Sequence, residues 1–171
     1  MDTEDKLAWC DLGAQAEKAF AIERLYDLGL SGAVNVSKKQ DPFTHDLFIN
    51  FPADLKSVRT PLFKAEEMFG IDPQFAVTFN GKDGQRYSQM YPNIVVVFDI
   101  FWEVCEKTID DRVYKVEPMR LTVAGFLSDI RRAIKKSGSH KIVYKNRVND
   151  QSGNAKESWV FDARDLHKLG G

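Results

Sequence analysis

The stretch "NIVVVFDIFWEV", residues 93–104, restricts the fold more than any other part of the chain. Val95, Val96 and Val97 are consecutive, β-branched and apolar. A strand with one solvated face alternates apolar with polar residues, whereas a strand covered on both faces reads as a continuous apolar run. A sheet wrapped by helices is therefore expected, and the rest of the chain supplies the pieces. Over 7–28, Leu12, Ala16, Ala19, Ile22 and Tyr26 recur every three or four residues, with Gly29 as a stop, which predicts a helix. "GAVNVSKK" predicts a short strand. In "TPLFKAEEMFG", Thr60 as cap and Pro61 at the first helical position predict a second helix ending at Gly70. "QFAVTFN" and "RVYKVEP" read as strands, "GKDGQRYSQMYP" as a turn and short helix, and "LTVAGFLSDIRRAIKKSG" as a helix with a basic end. "HKIVYKNRVNDQSGNAKESWVFDA" reads as a hairpin around "NDQSGN".

A chain of 171 residues that is 43% hydrophobic suits one domain with a proper core, here spanning 1–171. The core is expected over about 7–104, followed by a C-terminal addition over about 105–171. No run approaches the ~18 apolar residues of a membrane span, and "MDTEDK" resembles neither a signal nor a transit segment, so a soluble, cytoplasmic protein is expected. Cys10 and Cys105 lie far apart with no CxxC pattern, which predicts free thiols and argues against a thiolate zinc site.

Net charge is −1, low for a protein that neutralises phosphates, but the charge is unevenly distributed. Residues 1–27 hold seven acids against three bases. Residues 111–147 hold ten bases against three acids, among them Arg131, Arg132, Lys135 and Lys136 near the end of the predicted basic helix. Such asymmetry can give a neutral protein one basic face.

"HDLFINFPADLK", residues 45–56, carries an aspartate in each of two short apolar runs. Alternation puts Leu47, Ile49 and Phe51 on one face of the first run, and Asp54 with Lys56 on one face of the second, opposite Leu55. With a turn near Asn50, the two runs form a hairpin in which Asp46 faces Asp54. Carboxylates with Cβ atoms about 5 Å apart repel unless a cation lies between them, so this register calls for a metal. A His–Asp phosphohydrolase site would need more histidines than His45, His140 and His167. No GxxxxGK[ST], GxSxG, HExxH or GxGxxG pattern occurs.

The order of helix, three strands, helix, strand, together with "HDLFIN…ADLKSVRT", resembles the PD-(D/E)XK nuclease superfamily over residues 12–103. The resemblance implies an α/β, restriction-endonuclease-like fold: a central mixed β-sheet flanked by helices, with a C-terminal helix and β-hairpin addition. It implies Asp46 and Asp54 as metal-binding acids, Lys56 as the catalytic lysine and the Leu55 backbone carbonyl as a further ligand. "LGAQAEKAFAIERLYDLGL" is similar to the family's first helix, with Glu17 as the matching acid and Glu23 as its rival. His45 stands where the family more often has proline. The implied cofactor is Mg2+, replaceable by Mn2+, and the implied activity is hydrolysis of DNA phosphodiesters by an activated water. Ser57, Arg59, Lys64, Arg131, Arg132, Lys135 and Lys136 are the expected nucleic-acid contacts, with Trp102, Trp159 and Tyr144 as candidate stacking aromatics. DNA is the expected partner, with a homodimer as an admissible assembly and no membrane. The alternative is a catalytically silent module of the same fold that binds DNA or a protein, of the kind found in phage and mobile elements.

Overall fold

The computed structural model describes residues 6–27, 30–41, 44–143 and 157–169. The chain divides into two compact units, Met1–Phe51 and Pro52–Gly171.

In the N-terminal unit, α1 (Lys6–Ala19) runs through a π-helical turn, Phe20–Arg24, into α2 (Leu25–Asp27). This is the helix expected from the apolar spacing, with one wide turn inserted. β1 (Ser31–Val34) pairs antiparallel with β2 (Leu47–Asn50), Gly32 opposite Ile49. Glycine is required there, because a Cβ would stand 2.4 Å from the Phe48 carbonyl oxygen and 2.7 Å from Leu25 Cδ1. Asn35 is buried and ties the unit together: its side chain accepts from Ser37 N at 3.1 Å and donates to the His45 carbonyl at 3.0 Å. Among the described residues of this unit, Leu25 is the one buried large apolar side chain, while Phe48, Ile49 and Phe51 are exposed.

β2 finds its partner in β1, and β3 (Ala53–Val58) finds its partner in β5 (Val95–Phe101). The expected hairpin between the two aspartate-bearing strands is therefore not formed.

The C-terminal unit contains a mixed four-stranded sheet in the order β11-β8-β5-β3, where β8 is Arg120–Phe126 and β11 is His167–Lys168. β3 runs parallel to β5, and the other pairs are antiparallel. A three-stranded antiparallel sheet, β4-β10-β9, is built from β4 (Ala76–Asn80), β9 (Lys141–Val143) and β10 (Glu157–Asp162). α3 (Ala65–Phe69), α4 (Gly81–Met90) and α5 (Leu127–Lys136) complete the unit with the hairpin β6 (Glu106–Ile109) and β7 (Arg112–Lys115). The result is an α/β architecture: a mixed sheet flanked by helices, with a C-terminal helix and hairpin. The "NDQSGN" turn lies outside the described residues.

One core cluster joins both sheets and both long helices, gathering Val96, Phe98, Ile100, Phe79, Phe161, Tyr87 and Ile130. Phe98 and Phe161 meet edge to face, their centroids 5.5 Å apart. Burial along β5 alternates. Val96, Phe98 and Ile100 are fully buried, while Val95 and Val97 are half-buried, so the continuous apolar run overstates how well its second face is covered. Two other expectations shift. The helix expected from Thr60 begins at Ala65, because Pro61 and Phe63 are held in the core ahead of it. "RLTVAGF" is a strand between β5 and β11 rather than part of a helix. Its β-branched and alternating residues suit that central place, and α5 begins only where Asp129 accepts from Phe126 N at 3.0 Å. No helix among the described residues is long and apolar enough to cross a membrane.

Candidate functional site

β3 is the edge of its sheet, and its ladder to β5 determines which side chains face inward. Asp54 is level with Val96 and Lys56 with Phe98, so in this parallel pair both charged residues share the face of fully buried residues. Leu55, between them, points the other way and is 63% exposed. This inverts the usual pattern of an amphipathic strand. It is tolerated because the two charges lie at the rim, where α4 covers them.

α4 begins where the Asn80 side chain accepts from Lys82 N at 2.9 Å. Asp83, in its first turn, is favoured there by the helix dipole and turned toward β3. Lys56 Nζ lies 2.6 Å from Asp83 Oδ2 and 2.9 Å from Asp54 Oδ2. The contact with Asp83 is a hydrogen bond. The one with Asp54 is an ion pair lacking hydrogen-bond alignment, which leaves Asp54 Oδ2 buried without an aligned donor. Arg86 donates to Asp83 Oδ1 at 2.9 Å and to the Tyr87 hydroxyl at 3.2 Å. Tyr87 is buried, and its ring lies under both the Arg86 guanidinium, at 4.9 Å, and the Lys56 ammonium, at 5.9 Å. Asp54, Arg86 and Tyr87 also line a cleft of about 390 Å3 with Pro52 and Tyr91.

Burial acts to lower the Lys56 pKa, but hydrogen bonds and charge from Asp83 and Asp54 outweigh it and raise the value above the ordinary 10.5. Burial raises the Tyr87 phenol, Arg86 opposes the shift and the Asp54 carboxylate adds to it. At neutral pH the cluster thus holds a charged lysine and a neutral phenol.

The expected site residues separate into two groups. Asp54, Leu55 and Lys56 lie together on β3. Glu17, half-buried on α1, and Asp46, exposed just ahead of β2 with its carbonyl accepting from Asn35 N at 2.9 Å, belong to the N-terminal unit. Among the described residues, no group of three or more His, Cys, Asp or Glu side chains is gathered so that it could hold a metal ion. Of the expected nucleic-acid contacts, four are engaged in ion pairs: Arg59 with Asp99 at 3.1 Å, Lys64 with Asp110 at 2.5 Å, Arg132 with Asp129 at 3.2 Å and Lys136 with Asp165 at 2.5 Å. Ser57 and Lys135 are exposed, and Arg131 donates to Ser88 Oγ. Trp102 is buried, its indole N–H donated to the Gln74 carbonyl at 3.0 Å, which removes it as a stacking platform. Tyr144 lies outside the described residues.

Asp83, Arg86 and Tyr87 were not foreseen. Their signal is the spacing within "GKDGQRYSQM": Asp83, Arg86, Tyr87 and Met90 fall on one helical face. That face acquires meaning only once β3 is known to lie beneath it. No protein-family model, curated protein or solved structure matches the chain.

Proposed function

We propose that this chain is a metal-dependent nuclease with a restriction-endonuclease-like sheet of the PD-(D/E)XK kind, hydrolysing DNA phosphodiester bonds at the Asp54–Lys56 edge of β3. The observation that carries the reading is the placement of an Asp-x-Lys pair on the inner face of an edge strand, with a second carboxylate, Asp83, delivered by the covering helix. Edge strands and rims are open to a polymer, whereas a lysine buried beneath a sheet is not.

The donor chemistry suits a hard divalent ion. Asp54 and Asp83 are oxygen donors that both reach Lys56 Nζ, and Asp54 Oδ2 is buried with that ion pair but no aligned hydrogen-bond donor. These two residues would hold Mg2+ or Mn2+. Such an ion supplies charge stabilisation at a phosphoryl oxygen and lowers the pKa of a water. Lys56, kept protonated by its two acids, places a fixed positive charge where negative charge grows on the phosphoryl group. Arg86, exposed at the rim, can take a flanking phosphate, and Tyr87 lines the cleft beside Asp54.

A second reading, the same fold as a silent binding module for DNA or a protein, is favoured by one feature: Lys56 already neutralises both acids by direct contact. Thermal melting with added Mn2+ or Mg2+ separates the two. The nuclease reading expects the ion to raise the melting temperature of the wild type and to do little for Asp54→Asn, because a ligand stabilises only the state that binds it. Equal melting of both proteins with and without metal supports the binding module.

A further inference from the structure

A groove of about 750 Å3 opens on the other side of α4, between that helix, α5 and the ends of β9 and β10. Its volume lies in the range of small-ligand sites. Phe79, Leu127, Ile134 and Trp159 give it an apolar floor, and Lys82, Arg131 and Lys141 supply three cations against one acid, Glu157. Lys141 Nζ sits 4.6 Å above the Trp159 ring and is held there by Glu157 at 3.2 Å. Gly81 borders the indole: a Cβ there would lie 3.6 Å from Trp159 Nε1, in ordinary contact with the ring. Gln85 and Gln89 supply amide donors and acceptors along the wall.

The helix itself links this groove to the Asp54–Lys56 edge. Asp83, Arg86 and Tyr87 face the edge, while Lys82, Gln85 and Gln89 line the groove, so one helix of about 10–12 Å diameter separates them. We propose that the groove takes an unstacked nucleotide of a single-stranded segment, its base displacing the Lys141 ammonium from the Trp159 ring and its phosphates on Arg131, Lys82 and the released Lys141. The inference rests on the nuclease reading for the role of that segment as part of the substrate. Aromatic stacking with flanking cations is the chemistry that holds single strands without reading sequence. The three cations come from three different elements, α4, α5 and β9, which suits successive phosphates of a continuing backbone better than the single phosphate of a free nucleotide.

The test is fluorescence anisotropy of labelled oligothymidylate with the full chain in EDTA, where no metal-dependent cleavage occurs. A negative result for cleavage therefore leaves this measurement standing, and the converse also holds. Wild type is expected to bind. Arg131→Ala with Lys141→Ala should weaken binding at least about ten-fold and make its salt dependence shallower by about 0.7 per cation removed. Trp159→Leu should weaken it at least about five-fold, the loss of one base–aromatic stack, and Trp159→Phe should restore most of it. Because Trp159 packs on the core, the exposed Arg131 and Lys141 keep the test independent of any folding defect. Three results would overturn the proposal: variants that bind like wild type, thymidine monophosphate competing as strongly as the oligomer, or polyglutamate competing as strongly, which would make the groove an acidic-peptide surface.

Discussion

Lys56 Nζ and Asp83 Oδ2, 27 residues apart in the chain, stand 2.6 Å from each other and bind the edge strand to the helix that covers it. Their side chains are 27% and 17% exposed, so water screens the pair less than it would an open surface pair. A double-mutant cycle on Lys56→Met and Asp83→Asn should return a coupling of about 1 kcal/mol. A coupling near zero in urea titrations would mean that the two residues are not paired in solution.

The same pair sets an alkaline limit. The folded-state pKa of Lys56 is raised, so its contribution is fully present below about 10.5 and is lost as pH climbs through the higher folded value. Tyr87, a phenol with a raised pKa, acts in the same direction: the folded state holds its proton longer than the unfolded chain does. Wild type should therefore lose melting temperature between pH 10 and pH 12 more steeply than Lys56→Met. Parallel curves for the two proteins would remove Lys56 as a source of the effect.

Gly32 tests the N-terminal unit alone. A methyl group there must displace the Phe48 carbonyl or Leu25, so Gly32→Ala should cost about 1–3 kcal/mol of that unit's stability. Amide hydrogen exchange resolved by residue should show lost protection over β1 and β2. Unchanged protection would contradict the β1–β2 register.

The basic stretch makes a graded prediction. Arg132 and Lys136 are already satisfied by Asp129 and Asp165, whereas Arg131 borders the groove. Arg132→Ala and Lys136→Ala should each change DNA affinity by less than about two-fold, and Arg131→Ala by clearly more, since only a contact to phosphate contributes counterion release. Filter binding at two salt concentrations would show the order, and equal effects for all three would contradict it.

What could be read from the sequence, and what could not, divides along physical lines. Long periodic segments such as the first helix, β5 and the amphipathic face Leu127, Ile130, Ile134 are legible because burial imposes their spacing. Asp54 and Lys56 are legible as a pair because alternation fixes their common face. Pairing partners are not legible. Two short strands separated by a tight turn look like a hairpin, yet β3 takes the distant β5, and nothing local reveals that choice. Asp83 is not legible for the same reason, since an acid in a helix's first turn is ordinary until the tertiary fold sets a lysine against it. The net charge of the basic stretch was legible, but its neutralisation by Asp129 and Asp165 was not.

The most direct test of the central claim is cleavage of single-stranded and plasmid DNA by wild type, Asp54→Asn and Lys56→Met, each with Mn2+ or Mg2+ and again in EDTA, after circular dichroism has confirmed the fold. The nuclease account predicts cuts by wild type with metal, none in EDTA, and a loss of at least about 100-fold in either variant. Wild type that leaves DNA intact with both metals, or Lys56→Met that cuts at the wild-type rate, contradicts it.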